Sequence, residues 1–263
     1  MATLARAYRA AGEIGEALPH VFDQFALTGV DVRRGTVTLI GAAPGGAKSV
    51  LANAYALRAR VPTLFFSADT NEAEVAERLA AMMTGRQISE CRSELNPRHP
   101  AHRPETLALL DGPGSNHIDW EFEDAPSYEF IVKRVEAFFY EWAVMPELIV
   151  IDNLINIKNS KSDEVEHDVD AIFFLKTLAR KTQAAVVVLH HLTGEHESGD
   201  TWPGQSAFKG KIAKYVALAL TLSRDAAGTV WCHVVKNRSG EADPTGKRVK
   251  FPFETDLSRA RLR

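Results

Sequence analysis

The stretch from residue 36 to residue 52 most limits what this chain can fold into. Residues 36–40 are apolar or β-branched, residues 41–47 are glycine, alanine or proline, and an alanine- and leucine-rich segment begins at residue 48. This pattern predicts a strand, a tight loop and a helix. Such a loop surrounds phosphate oxygens with backbone N–H groups, and the helix adds its free amides and positive dipole end. The stretch therefore predicts a phosphate-binding loop, with an ordinary glycine-containing turn as the alternative.

The same stretch fits the nucleotide-binding pattern G-x-x-x-x-G-K-[ST] in part. Lys48 is expected to contact the β- and γ-phosphates of ATP, and the Ser49 hydroxyl is expected to coordinate Mg²⁺. Ala42 and Ala47 occupy the two glycine positions. Because a left-handed backbone costs a non-glycine residue about 1–2 kcal/mol, we expect Ala47 to take a negative φ or the loop to be slightly remodelled. The predicted nucleotide-binding residues are Ala42, Ala43, Pro44, Gly45, Gly46, Ala47, Lys48, Ser49 and Val50.

Composition limits the class of protein and its partners. The 263 residues are 45% hydrophobic and 25% charged, which is typical of a soluble globular protein. The net charge of −3 gives no overall attraction to nucleic acid, so any such binding must come from local clusters. Cys91 and Cys232 are too few for a disulfide framework. The sequence lacks an apolar run of about 18 residues and an apolar signal core, which predicts a cytoplasmic protein with no membrane partner.

Strands and helices alternate through the middle of the chain. Beyond the loop and its helix, the pattern predicts strands at residues 61–67, 147–152 and 184–189, and helices at residues 71–83, 126–142 and 163–183. This alternation implies a parallel sheet with crossover helices. Three further strands, joined by short turns, are predicted to extend the sheet as hairpins: residues 215–223, 229–236 and 248–253.

Three segments have a less regular pattern. Residues 1–18 have helical spacing and predict a short amphipathic helix, which either caps its own domain or docks on a neighbouring subunit. Residues 84–125 predict an excursion or lid with one short helix near residues 105–110, and residues 193–206 predict a mobile loop. The predicted organisation is a helix or linker followed by a single domain: residues 1–19 and residues 20–263.

Acidic residues and histidines follow the predicted strands. Asp152 ends an apolar strand, and we expect it to face Mg²⁺ directly or through water, with a cap after the strand as the alternative. Asp69 ends the strand that we expect to neighbour the strand before the loop. It is the candidate general base, and its alternative role is the N-cap of the next helix. At least one of His190 and His191 should sense the γ-phosphate, unless both are structural.

Basic residues occur in clusters. Lys236 and Arg238 point the same way on an extended segment, which suits either an arginine finger that reaches into the next subunit or a solvated turn. Four further lysines are expected at the catalytic face, where they would hold a DNA or RNA backbone unless they form solvated surfaces: Lys158, Lys161, Lys209 and Lys211.

Five segments, in this order, resemble the RecA-like ATPase core of the DnaB-type replicative helicases and their RadA-like relatives: residues 39–49, 64–69, 148–152, 187–192 and 235–240. The resemblance implies an α/β fold of the RecA-like P-loop NTPase type, a mostly parallel sheet flanked by helices and extended by C-terminal antiparallel strands. It covers roughly residues 20–255.

The resemblance also implies residue roles. Lys48 and Ser49 would bind phosphate and Mg²⁺, and Asp152 would be the Walker B acid. Asp69 takes the position of the catalytic glutamate, and His191 takes the sensor position. Lys236 and Arg238 match the pair donated across a subunit boundary, which implies a ring, most often a hexamer. The sequence departs from the family at Ala47 and Asp69, and we expect it to lack the N-terminal collar domain.

These expectations favour an ATP-dependent DNA helicase or translocase that moves on single-stranded DNA. A RadA-like ATPase that acts in recombination or on branched DNA is the first alternative. The second alternative is an assembly module that binds nucleotide and hydrolyses it slowly, which the departures at Ala47 and Asp69 suggest.

Overall fold

The structure is a computed structural model that describes residues 15–192, 196 and 202–263. The strands are β1 (Val37–Ala42), β2 (Thr63–Ser67), β3 (Ile118–Glu121), β4 (Leu148–Asp152), β5 (Ala185–His191), β6 (Leu218–Arg224), β7 (Val230–Asn237), β8 (Lys250–Phe253), β9 (Thr255–Asp256) and β10 (Arg261–Leu262). The helices are α1 (Asp23–Thr28), α2 (Lys48–Ala59), α3 (Glu72–Thr84), α4 (Ile88–Leu95), α5 (Pro104–Leu110), α6 (Tyr128–Trp142) and α7 (Glu164–Thr182).

Eight strands form one sheet in the order β3-β2-β4-β5-β1-β6-β7-β8. The first six are parallel, while β7 and β8 continue the sheet as antiparallel strands. One apolar layer packs α1 and α2 against the sheet, and a second packs α6 and α7 against its other face. Strands β4 and β5 are buried on both faces, which explains their uninterrupted apolar sequences. The predicted α/β fold is confirmed.

The segment of residues 84–125 contains more regular structure than its sequence predicted. Helix α5 agrees with the single short helix expected there, but α4 and β3 were missed. Strand β3 extends the sheet beside β2, where Trp120 packs on Phe65 with ring centroids 4.4 Å apart. Arg134 of α6 pairs with Asp119 and Glu121 of this edge strand. A four-residue strand held by one aromatic contact and ion pairs lacks the length that makes a periodic pattern visible.

The amino-terminal prediction was wrong where it can be compared with the structure. The predicted helix of residues 1–18 lies mostly outside the described residues. Its last residues are extended, with Ala17 paired to Arg33 and Leu18 donating its N–H to the Val32 carbonyl at 2.8 Å. Leu18 is 1% exposed and belongs to the first apolar layer, so tertiary packing outweighs helical spacing here.

Most of the predicted mobile loop of residues 193–206 lies outside the described residues. At its described end, the Gln205 N–H donates to the Pro244 carbonyl at 2.7 Å, and a short 3₁₀ turn spans Gln205–Ala207. Within the described ranges, no helix has the length and apolar character of a membrane span.

Candidate nucleotide-binding site

The loop of residues 43–47 joins β1 to α2. Ala47 has φ +68° and ψ +11°, so the expectation of a negative φ was wrong. Ala47 is 7% exposed and belongs to the first apolar layer. Burial of its methyl group offsets part of the cost of a left-handed backbone, which is about 1–2 kcal/mol. Gly46 permits the tight turn, because a Cβ there would lie 2.9 Å from the Ala42 Cβ. The loop therefore keeps its turn with alanine at a glycine position.

A cavity of about 460 Å³ opens over this loop. Ala42 and Ala43 are buried and do not line it. The lining joins the loop and the start of α2 to residues that follow β2 or end β5, to α3 and α4, and to the C-terminal region: Pro44, Gly45, Gly46, Ala47, Lys48, Ser49, Val50, Asp69, Thr70, Glu74, Arg78, Ile88, His191 and Leu257. Most of the predicted nucleotide-binding residues thus meet Asp69 and His191 in one cavity.

Lys48 places an ammonium group among acidic and histidine side chains. It is 6% exposed, and its Nζ lies 3.3 Å from Nδ1 of His191. Burial lowers the pKa of Lys48, while the nearby charges of Asp152 and Asp69 raise it. Because the ammonium can only donate, Nδ1 of His191 accepts and the ring hydrogen lies on Nε2.

Asp152 is a buried carboxylate at the end of β4. It is 2% exposed, and its Oδ1 has no hydrogen-bond partner among the described residues. Burial raises the pKa of Asp152, and the hydrogen bond of the Ser49 hydroxyl and the charge of Lys48 oppose this rise. An unpartnered buried carboxylate oxygen is costly unless a cation lies beside it. Oxygen ligands and a hydroxyl suit Mg²⁺, so Ser49 and Asp152 fit the predicted metal role.

Asp69 reaches the cavity by a different route from the one its sequence suggested. Strand β2 lies between β3 and β4, not beside β1, so the expectation of a neighbouring strand was wrong. Ser67 pairs with Asp152, and the Ala68 N–H donates to the Asp152 carbonyl at 2.9 Å. Asp69 follows this pair, so the pairing of β2 with β4 brings Asp69 to the cavity. Its alternative role is also excluded, because Asn71 is the N-cap of α3.

Asn153 was missed in the sequence and links two predicted residues. Its Nδ2 lies 3.3 Å from Oδ2 of Asp69 and 3.1 Å from Nε2 of His191, and Asp69 and His191 are 3.9 Å apart. Its own Oδ1 is buried without a partner in the described part of the chain. Turning the amide by 180° would offer an acceptor to the Nε2 hydrogen but would place that oxygen 3.3 Å from the Asp69 carboxylate, so Nδ2 donates to Asp69 and its contact with Nε2 joins two donors. Its position directly after Asp152 was the only available signal.

The two histidines of β5 have different surroundings. His191 pairs with Ala42 in the sheet and lies in the cavity, and burial lowers its pKa. His190 is 3% exposed and lies away from the cavity beside Asp168 and Phe208. Alternation along the strand thus separates one histidine at the nucleotide site from one in the interior.

Arg78 and Glu74 of α3 also line the cavity, and sequence analysis did not single them out. Arg78 pairs with Glu74 at 3.3 Å and contacts the Thr70 hydroxyl at 3.5 Å. Their spacing of four residues on a helix is common on solvated helix faces, so it gave no functional signal.

Lys236 and Arg238 lie far from the loop of their own chain. Asn237 pairs with Leu218, which pairs with Thr38 near the start of β1, whereas the loop follows the other end of that strand. Nζ of Lys236 donates to two backbone carbonyls, at 3.0 Å and 2.5 Å. The Arg238 side chain is exposed. The structure therefore does not bring this pair to the cavity.

The four lysines predicted to contact nucleic acid converge near the start of α7. Lys158 and Lys161 are exposed in the segment between β4 and α7. Lys209 forms an ion pair with Glu164, the first residue of α7, and Lys211 is exposed with φ +55°. Two basic groups that are distant in sequence therefore lie on the same part of the surface.

Comparison with known proteins identifies the family. Residues 27–197 match the family model described as AAA domain. The gene 65 protein of Mycobacterium phage L5 is 32% identical over 243 residues, which cover 90% of this chain and 89% of that protein. The replicative DNA helicase DnaB of Leifsonia xyli subsp. xyli (strain CTCB07) is 26% identical over 242 residues, which cover 86% of this chain and 51% of that protein, so this chain spans about half of its length. A solved DnaB-like replicative helicase has the same fold, with a TM-score of 0.79 at 16% identity over 98% of this chain and 66% of that chain. The resemblance to a DnaB-type RecA-like core is confirmed, and the chain belongs to the AAA domain family.

Proposed function

We propose that this chain is a P-loop ATPase that binds ATP and Mg²⁺ at the subunit interfaces of a hexameric ring, and couples hydrolysis to movement on single-stranded DNA. The carboxylate of Asp152 carries the proposal. It is 2% exposed, has an oxygen that no described residue partners, and interacts with the Ser49 hydroxyl and the Lys48 charge at the start of α2. The similarity to a replicative DNA helicase supports DNA as the partner.

The residues around the cavity would have different roles in ATP hydrolysis. Lys48 would bind phosphate oxygens, and Mg²⁺, when bound by Ser49 and Asp152, would neutralise charge on the triphosphate. Asp69 has a 48% exposed side chain at the cavity and would accept a proton from the attacking water. Asn153 would orient Asp69 by donating to its carboxylate, and it also contacts His191. Because burial lowers the pKa of His191, its neutral ring can respond to the γ-phosphate without adding charge.

The distant position of Arg238 supports an interface between subunits. A cation that assists phosphoryl transfer must approach the γ-phosphate. Within one chain, the pairing through Leu218 and Thr38 holds the last residues of β7 beside the start of β1, whereas the loop follows the end of β1. In a ring, this end of β7 would face the cavity of the next subunit. We therefore assign Arg238 to the neighbouring subunit's site, and Lys236 to holding the backbone carbonyls beside β7.

The basic group near α7 supports contact with nucleic acid. The chain has a net charge of −3, so attraction to phosphate needs local concentration of lysines. Lys158, Lys161 and Lys211 are exposed there, while Lys209 is partly neutralised by Glu164. We therefore expect the three exposed lysines to contribute more to DNA binding than Lys209.

One experiment tests the proposal directly. Steady-state phosphate release and particle size are measured with and without ATP and single-stranded DNA. We expect DNA to stimulate hydrolysis and Lys48→Ala to abolish it. The matched control is Lys133→Ala on α6, because Lys133 is exposed and pairs only with Glu129 in the described contacts. A rate of ATP hydrolysis that is the same with and without DNA contradicts movement on DNA. Loss of activity in Lys133→Ala would mean that the loss in Lys48→Ala is not specific to the phosphate-binding lysine.

A slowly hydrolysing assembly module is the second candidate. The left-handed Ala47 favours it, because the strained residue directly precedes Lys48 and could slow closure around the triphosphate. In this case ATP would promote ring formation while phosphate release stayed near background. Comparing single-stranded, forked and branched DNA in the same assay separates a translocase from a recombination ATPase.

A further inference from the structure

Asp168 of α7 is a buried acidic residue outside the nucleotide cavity. Its side chain is 1% exposed and lies between two histidines. Oδ1 is 3.2 Å from Nδ1 of His167, and Oδ2 is 3.4 Å from Nε2 of His190. Oδ2 and both ring nitrogens of His190 lack well-aligned hydrogen bonds among the described residues. A buried carboxylate that faces two imidazoles is expensive, which argues for a role beyond filling space.

His167 connects Asp168 to the segment that follows Asp152. Its Nε2 lies 2.6 Å from the Ile157 carbonyl oxygen. A carbonyl can only accept, so Nε2 carries a hydrogen, and the contact between Nδ1 and Asp168 needs a second proton between them. The ring is therefore fixed at both nitrogens. It holds the backbone one residue before Lys158.

His190 connects Asp168 to the end of β5. It directly precedes His191, which contacts Lys48 in the cavity. On the other side, the His190 ring lies nearly parallel to Phe208, with an angle of 12° and centroids 6.3 Å apart. Phe208 precedes Lys209, which is itself paired with Glu164 of α7. A movement at the end of β5 would therefore reach this basic segment through one ring contact.

We propose that Asp168 is a positioning residue that couples the nucleotide-sensing end of β5 to the two basic segments, through His190 on one side and His167 and Ile157 on the other. This inference rests on the proposed function, because it assigns a route between its ATP site and its DNA-binding surface. The route has two arms, and both meet at one carboxylate. A change in the position of His191 would alter the contact of His190 with Asp168 and so the segment that His167 holds.

The test compares Asp168→Asn with Asp23→Asn. Asp23 is exposed in the first turn of α1, which packs on the opposite face of the sheet from α7, and the substitution makes the same change of charge. We expect Asp168→Asn to reduce the stimulation of ATP hydrolysis by single-stranded DNA by about fivefold or more, with basal kcat and the KM for ATP unchanged. Asp23→Asn should keep the full stimulation. Equal stimulation in both variants overturns the proposal.

A second variant and a second measurement keep the inference distinct from the proposed function. His167→Gln breaks the arm to Ile157 from a less buried position, since the His167 side chain is 15% exposed. Amide hydrogen exchange is measured at residues 157–161 with and without a magnesium complex of a non-hydrolysable ATP analogue. We expect the analogue to protect these amides in the wild type and not in Asp168→Asn or His167→Gln. Absence of ATP hydrolysis in the wild type refutes the proposed function alone, whereas equal protection in wild type and variants refutes the coupling role.

Discussion

The assignment of Arg238 to a neighbouring subunit makes the most demanding prediction. Lys48→Ala removes the phosphate-binding ammonium from a subunit, and Arg238→Ala removes the proposed finger. Each variant alone should be inactive, because an arginine finger contributes about 10³–10⁵ in kcat. Mixed in one ring, the two variants can complement each other only if the arginine acts across the interface.

The size of the recovery follows from the geometry. Thr38 and Ala42 lie near opposite ends of β1, and four residues of strand separate them by about 13 Å. Arg238 lies at the Thr38 end, so it cannot complete the site of its own chain. In an equal mixture, a site works when an Arg238→Ala subunit supplies Lys48 and a Lys48→Ala neighbour supplies Arg238. Random assembly gives this arrangement at about one quarter of the interfaces.

The assay is steady-state phosphate release at saturating DNA across mixing ratios. We expect a maximum near the equal mixture, at about one quarter of the wild-type rate, if interfaces act independently. The matched control mixes Lys48→Ala with Arg248→Ala, because Arg248 is exposed and pairs with Asp243 away from the cavity. That mixture should retain about half of the rate whether or not subunits exchange, so native mass spectrometry of the test mixture, in which the two variants differ in mass, measures exchange separately. Mixed rings in the mass spectrum, together with no recovery of phosphate release in the test mixture at any ratio, refute the cross-interface assignment.

Three further predictions concern backbone strain, pH and salt. Ala143→Gly, at an exposed position with φ +57°, should raise the free energy of unfolding by about 1 kcal/mol. Ala47→Gly should raise it less, because a buried methyl group is also lost, and urea unfolding of both variants measures the difference. Burial lowers the pKa of His233 to about 4, so between pH 6.5 and 4 the unfolded chain binds a proton that the folded chain does not. His233 should therefore contribute a fall of about 1.4 kcal/mol per pH unit in the free energy of unfolding through this window as pH decreases. His233→Gln should remove that part of the slope, and an unchanged slope would contradict the assignment. Replacing Lys158, Lys161 and Lys211 by Ala should flatten the dependence of DNA affinity on salt more than Lys209→Ala does, as measured by fluorescence anisotropy over a salt series.

The main elements of the fold could be predicted because their sequences carry local signals. Strand β4 is uninterrupted apolar sequence that ends in a carboxylate, and its observed bounds differ from the prediction by one residue. Helix α3 follows Asn71, the first residue of the predicted helix of residues 71–83, and the Asn71 side chain accepts from the Glu74 N–H at 3.0 Å. Strand β3 could not be predicted in this way. Its stability depends on pairing with β2 and on ion pairs to a helix that comes later in the chain.

The residues of the site also differ in whether a local sequence signal identifies them. Lys48 and Asp152 could be identified because each belongs to a motif with a chemical meaning at its own position. Asn153 could not be identified, since its importance depends on two partners that are 84 and 38 residues away in sequence. The conformation of Ala47 was also beyond local reasoning. The backbone cost is a local quantity, but the burial of the methyl group that offsets it depends on the packing of the whole layer.

The wrong neighbour predicted for β2 explains why the role of Asn153 was missed. If β2 lay beside β1, Asp69 could be held at the loop by sheet pairing alone. In the observed order, β4 and β5 lie between β2 and β1, so the distance from Asp69 to the loop must be crossed by side chains from the ends of those two strands. Asn153 and His191 are those side chains, and their contacts connect Asp69 to Lys48. Because β4 and β5 lie between them, Asp69 and the loop are linked by a series of polar contacts and not by direct strand pairing. Under the proposed function, a change at the nucleotide would reach His190 and the interior of the protein along this series.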